Sequence, residues 1–387
     1  MNGAATAPLS GTAARASGRS VSPYRIMIVD DSAVIRGLLT RSIEADPELI
    51  VVASAGDGQV ALNALQRHDV EIVILDIEMP VMDGLTALPK LIAAKPGIRV
   101  LVASTLTLRG ATISLKALAA GAADYITKPG TSSLITADEF KRQLIGKVKA
   151  LAHARRSSRG ETQPEPAAAA GNSVPAMPPP VRRGGAIHLR PQSSERPDVL
   201  AIGSSTGGPQ ALFRLLKDVA ALPQPILITQ HMPATFTTIL AEHIQRVAGR
   251  PTVEAVDGSA IEGSHIYVAP GDFHMLVESE GAQRRIRLSK AAPENFCRPS
   301  VDPMLRSVAQ AYGRRVLCAI LTGMGQDGLR GGEAVVGAGG TVMAQDENTS
   351  IVWGMPGAVA MAGLCSAVLP LDQLGSAIAR LAGRGAS

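Results

Sequence analysis

RIMIVDDSAVIR, residues 25–36, decides the fold of the first part of the chain. An apolar run ends in two aspartates, and Val34, Ile35, Leu38, Leu39 and Ile43 then recur at the spacing of one helix face. The run is continuous rather than alternating, as in a strand buried on both sides. The same pattern returns in IVVASAG (50–56), EIVILDIEMP (71–80), RVLVAS (99–104) and ADYIT (123–127). Repeated β/α units of this kind predict a doubly wound parallel sheet. A helix over 138–153, with Phe140, Leu144, Ile145, Val148 and Leu151 inside, closes the unit.

Outward from this block the composition changes. Residues 154–197 are rich in proline, alanine and arginine, with no apolar period, and read as a flexible linker. Arg155, Arg156, Arg159, Arg182, Arg183, Arg190 and Arg196 fall in it. Residues 1–22 read as a disordered tail rather than a targeting segment. From Asp198 the β/α rhythm resumes with VLAIGSS (199–205), PILITQH (225–231), HIYVAP (265–270), RRVLCAILTG (314–323) and GTVMAQ (340–345). HMLVES and RRIRLS read as a hairpin about Glu280-Gly281. The expected fold class is thus α/β, with two doubly wound parallel-sheet domains over 23–153 and 198–387, the second larger and carrying a small antiparallel hairpin.

Bulk properties narrow the function. Aromatic residues are 3% of the chain, so small aliphatic side chains must do the packing. The net charge is +5, but the arginine-rich linker lacks the interleaved aromatics of a nucleic-acid surface. Cys297, Cys318 and Cys365 have no CxxC spacing, which argues against a metal cluster and fits a reducing cytoplasm. No apolar run reaches the length of a membrane span.

Asp30 and Asp31 end the first strand and Asp76 the third, so all three meet at the carboxyl edge of the sheet. Three gathered carboxylates repel unless a cation joins them, and hard oxygen ligands suit Mg²⁺. Ser104 and Lys128 reach the same edge and could bind phosphoryl oxygens; a cis Lys128-Pro129 bond would aim the lysine inward. Helix capping by the Asp pair, with Ser32, is the plainer account, but it leaves Asp76, Ser104 and Lys128 unexplained. VDDSAVIR, LDIEMPVMDG, VAST and DYITKP resemble the motifs of a two-component receiver domain, with a flavodoxin-like fold, over about residues 24–150. The resemblance implies that Asp76 accepts a phosphoryl group and that Asp30, Asp31 and Asp76 hold Mg²⁺. It further implies that Ser104 and Lys128 contact the phosphate and that Tyr125 is the aromatic switch residue.

In the second domain GSSTGGPQ (203–210), Gln230-His231 and TGMGQDG (322–328) follow strands. They deliver a serine, a histidine and an aspartate to one sheet edge, the set that acyl transfer by a nucleophile needs. Each has a plainer role: a turn serine, a structural histidine, an aspartate capping a helix over 327–337. A sharper rival is Gly323-Met324-Gly325-Gln326-Asp327-Gly328, which fits G-x-G-x-x-G with Asp346 downstream. It falls late in the domain, where a dinucleotide fingerprint normally opens it. A partner-binding, non-enzymatic output domain is the remaining alternative.

IGSSTGG, ITQHMP, YVAPGD, RPSVD and LTGMGQDG resemble the catalytic domain of the chemotaxis protein-glutamate methylesterase/protein-glutamine glutaminase family, over about residues 198–385. The resemblance implies Ser205 as nucleophile, His231 as general base and Asp327 as orienting carboxylate. Ser204 stands where the family usually has alanine, and the assignment falls on Ser205 because Thr-Gly-Gly follows it. The implied reactions are hydrolysis of glutamate methyl esters and deamidation of selected glutamines on methyl-accepting chemoreceptors, with no cofactor in the catalytic domain. A chemotaxis sensor histidine kinase is the implied phosphate source.

Overall fold

Apolar runs flanked by capping residues build the first domain of the computed structural model, which describes residues 22–128, 137–160 and 186–383. Its elements are β1 (Tyr24–Val29), α1 (Ala33–Glu44), β2 (Leu49–Ala55), α2 (Gly58–Leu65), β3 (Ile72–Asp76), α3 (Gly84–Ala94), β4 (Arg99–Ser104), α4 (Leu108–Ala119), β5 (Asp124–Thr127) and α5 (Ala137–Ser158). The sheet order is β2-β1-β3-β4-β5, all parallel. Every residue of β3 is buried, as expected of a strand covered on both faces. Ser32, Asp57, Asp83 and Thr107 each accept an amide hydrogen bond at the start of α1 to α4, contributing about 1 kcal/mol apiece.

Two expectations shift here. On α1 the buried residues are Leu39 and Ile43, while Val34 is 77% exposed and Leu38 36%. The helix buries the 35-39-43 row, and Val34 and Leu38 sit one row round. Helix α5 runs to Ser158, past the expected boundary at 153, because Arg155 and Arg156 are not linker residues. Both are buried against Glu71, itself fully buried; Arg155 Nη1 lies 3.1 Å and Arg156 Nε 2.7 Å from Glu71 Oε1. A buried carboxylate must be paired, and this requirement carries the helix onward.

The second domain holds β6 (Val199–Ser204), α6 (Gly208–Asp218), β7 (Ile226–Gln230), α7 (Ala234–Ala248), β8 (Thr252–Glu254), β9 (Ile266–Val268), β10 (His274–Glu280), β11 (Gln283–Ser289), α8 (Val301–Tyr312), β12 (Val316–Ile320), α9 (Leu329–Gly337), β13 (Thr341–Gln345), α10 (Met355–Met361), β14 (Cys365–Leu369) and α11 (Leu371–Ala382). The parallel order is β14-β13-β12-β6-β7-β9-β8, with β10 and β11 as the separate antiparallel hairpin. The order reverses about β6, which leaves β12 and β7 as its neighbours and opens a crevice at their carboxyl ends. Residues 186–197 lie on this domain, Arg190 N donating to Cys365 O and Arg196 Nε to Ala382 O. The Lys128-Pro129 bond and residues 1–21, 129–136, 161–185 and 384–387 lie outside the described residues.

Candidate active site and phosphoacceptor pocket

At the receiver edge, carboxylate oxygens of Asp30, Asp31 and Asp76 lie within 4.8 Å of one another. Asp30 and Asp76 are buried and Asp31 is exposed. Lys128 Nζ bridges the buried pair, 2.7 Å from Asp30 Oδ2 and 2.8 Å from Asp76 Oδ1. Burial pushes the Asp76 carboxyl up, against the pull of Lys128. Burial alone would lower the Lys128 ammonium, but hydrogen bonds to Asp30 and Asp76 raise it. Ser104 ends β4 as expected, yet its hydroxyl donates to Gly110 O at 3.1 Å rather than reaching Asp76.

In the second domain the neighbouring strands β7, β6 and β12 lead into His231, Ser205 and Asp327. His231 Nε2 and Asp327 Oδ2 are 2.7 Å apart. Asp327 Oδ2 also accepts from Ser300 Oγ at 2.9 Å and Val301 N at 2.6 Å. Its Oδ1 accepts from Asn295 Nδ2 at 2.9 Å and from Asp302 N and Gly328 N, each at 3.0 Å. Burial would raise this carboxyl, but His231 and the backbone amides hold it well below the usual range. Capping of α9, the plainer role for Asp327, falls to Asp302, whose Oδ1 accepts from Gly328 N and Gly331 N. Burial and the neighbouring Asp327 raise the Asp302 carboxyl.

The two candidate serines differ in their surroundings. Ser204 is fully buried and its hydroxyl donates to Gln230 Oε1 at 2.7 Å. Ser205 is partly exposed, its amide held by Thr322 O at 3.1 Å, and its hydroxyl makes no hydrogen bond among the described residues. The turn that presents it needs Gly207, whose φ is 76° and whose Cβ would fall 2.6 Å from Ile351 Cβ. Gly323 lets the β12 turn approach, since a Cβ there would sit 2.9 Å from Ser205 Cβ. Helix α6 then starts without a side-chain cap.

The receiver lies against this edge. Tyr125 stacks on Phe236 of α7, ring centroids 4.6 Å apart, and Thr206 Oγ1 donates to Asp124 Oδ2 at 2.8 Å. Val352 is buried in the receiver's α5-side cluster, with Met324 and Ile351 packed on it. Asp346, the acid of the dinucleotide pattern, is instead committed to Thr349 N and Oγ1. No spacing in the sequence ties Asn295, or the Ser300 and Asp302 of RPSVD, to Asp327, and Cys297 stands out there only as lacking a CxxC partner.

Fold and site together define a receiver joined to an α/β domain with a histidine–aspartate pair at its sheet edge. The family profile of CheB methylesterase matches residues 200–378, and that of the response regulator receiver domain residues 26–138. A protein-glutamate methylesterase/protein-glutamine glutaminase of Azospirillum brasilense is 59% identical over 376 residues, 94% of each chain. One of Paramagnetospirillum magneticum is 57% identical over 367 residues, 93% of this chain and 96% of the relative. The catalytic domain of Thermotoga maritima CheB methylesterase is 36% identical, covering 48% of this chain and 100% of that one with a TM-score of 0.47. The response regulator domain of Thermotoga maritima CheB is 35% identical, covering 34% and 97%, TM-score 0.31. The chain belongs to the protein-glutamate methylesterase/protein-glutamine glutaminase family and is an enzyme of that activity. Among the described residues no helix is long and apolar enough to cross a membrane.

Proposed function

We propose that phosphorylation of Asp76 uncovers a Ser205–His231–Asp327 hydrolase that acts on glutamate methyl esters and selected glutamines of chemoreceptors in the cytoplasm. The His231–Asp327 hydrogen bond, at the carboxyl ends of strands flanking the one that leads to Ser205, carries the assignment. Asp327 keeps a proton on Nε2, so Nδ1 is the basic nitrogen. Ser205 Oγ attacks the side-chain carbonyl as Nδ1 takes its proton. That proton passes to the leaving methanol, or ammonia for glutamine, and an acyl-enzyme remains. Water attacks the acyl carbon, Nδ1 takes its proton and returns it to Ser205, and the glutamate carboxylate departs.

Asp76 ends the central strand of the receiver, and its carboxylate would attack the phosphorus of a histidine kinase's phosphohistidine. The three-carboxylate oxygen set of Asp30, Asp31 and Asp76 suits Mg²⁺, which would supply positive charge for the phosphoryl oxygens when bound. Lys128 stands ready to contact the same oxygens, and Ser104 would have to turn from Gly110 O to join it. Docking of Tyr125 on Phe236 and of Asp124 on Thr206 supports inhibition by occlusion. Methanol release from methylated receptor membranes tests the assignment. Ser205→Ala should be inactive with Ser204→Ala active, and the reverse result would sink it.

A further inference from the structure

The turn from Glu294 to Cys297 is explained by neither the triad nor the phosphoacceptor pocket. Asn295 and Phe296 hold φ of 52° and 61°, left-handed backbone that is uncommon away from glycine. Glu294 and Cys297 close the turn with backbone hydrogen bonds of 3.2 and 2.8 Å. Its three following residues face three different things. Asn295 Nδ2 donates to Asp327 Oδ1 and Asp302 Oδ2, each at 2.9 Å. The Phe296 ring, 59% exposed, lies 5.7 Å from the guanidinium of Arg142 on receiver helix α5. Cys297 Sγ lies 3.4 Å from His231 Nδ1. Nε2 belongs to Asp327, so Nδ1 is the nitrogen that Ser205 needs, and the sulfur sits on it.

We propose that Cys297 is a positioning residue for the base: while the receiver is docked, its sulfur occupies His231 Nδ1, and it must give up that nitrogen before Ser205 can use it. The proposal rests on Ser205, His231 and Asp327 being the triad. The 3.4 Å contact between Cys297 Sγ and Nδ1 must open when the turn moves, which leaves Nδ1 free for the Ser205 hydroxyl. Burial alone would lower the His231 imidazole, but Cys297 and the Asp327 carboxylate push it up to about 10. An imidazole so held is protonated at neutral pH and accepts nothing from Ser205. Asp327 and Cys297 are the titratable groups facing the ring, with Asp302 behind Asp327. Phe296 ties the movement to the receiver, because the residue beside Cys297 is the one that meets α5.

The test is the pH dependence of kcat/KM for methanol release by the full chain on methyl-esterified receptor membranes, comparing wild type with Cys297→Ser and Cys297→Ala. Serine fills nearly the same space without the sulfur. Both variants should move the acid limb down by about one pH unit, or roughly tenfold more activity at a pH on the limb. A limb that stays in place in both, or moves only in Cys297→Ala, overturns the proposal, the latter because packing alone would then explain it. Ser205→Ala in the same assay separates the two failures. Full activity there removes the triad assignment, whereas an inactive Ser205→Ala with unmoved Cys297 variants removes only the role of Cys297.

Discussion

The two domains place their chemistry alike and present it differently. Each uses the carboxyl edge of a parallel sheet, where strands end and loops converge. At the receiver edge the pocket is already assembled: Lys128 joins Asp30 and Asp76, and Asp31 faces solvent. At the hydrolase edge His231 and Asp327 are joined, but the Ser205 hydroxyl makes no hydrogen bond among the described residues and a second domain lies against the turn beside it. On the proposed function, a small phosphodonor meets the first edge as it stands, whereas a receptor segment reaches the second only after the receiver moves. The contrast is between a pocket assembled among its own strand ends and one whose serine turn is bonded to a second domain.

The sharpest way to break this comparison is to remove the triad. Ser205→Ala, His231→Ala and Asp327→Ala should each lower kcat for methanol release by about a thousandfold or more, and double variants should add little because the residues act as a unit. Additive losses would mean they do not form one device. Next, Asp76→Asn should abolish labelling by a small phosphodonor with Mg²⁺ and, with it, any phosphodonor-dependent rise in methanol release. Labelling at the normal rate would put the acceptor elsewhere. Lys128→Ala should keep part of the labelling and weaken the response.

A smaller effect sharpens the interface. An aromatic stack is worth about 1 kcal/mol beyond its buried area. Tyr125→Ala should therefore raise methanol release by the unphosphorylated chain a few-fold, with Asp76 labelling retained. No rise would mean that the Tyr125–Phe236 contact does not hold the receiver in place. The smallest effect lies in stability. His231 is held at about 10 against an ordinary 6.5, so its contribution is complete below 6.5 and is lost as pH rises through about 10. Urea unfolding of wild type and His231→Gln should show a stability gap that narrows between about pH 6 and pH 10. A gap that widens over that range would contradict the imidazolium assignment.

Strands buried on both faces were legible because their apolar runs are unbroken, as in ILITQ of β7. Two were missed: β8 has 3 residues, and β14 reads CSAVL, too short and too small-sided to stand out. The end of α5 was hidden because arginine and serine look like linker until Glu71, some 85 positions away in sequence, appears beside them. Asp327 lies in the turn between β12 and α9, and the places of Ser205 and His231 directly after β6 and β7 were legible. What holds Asp327 was not, because Asn295, Ser300 and Asp302 reach it through a turn with no apolar period. Cys297 was read only for lacking a CxxC partner, and its nearness to His231 exists only in three dimensions.

Occlusion by the receiver is tested most directly by methanol release from methylated receptor membranes. The comparison sets the full chain, with and without phosphodonor, against a fragment of residues 186–387. The fragment should start there because Arg190 and Arg196 are bonded to the second domain. The account predicts that the unphosphorylated chain is slowest and that the fragment and the phosphorylated chain are both faster. A fragment no more active than the unphosphorylated chain would contradict it, and would mean that phosphorylation builds the active site or recruits the receptor rather than uncovering what is already there.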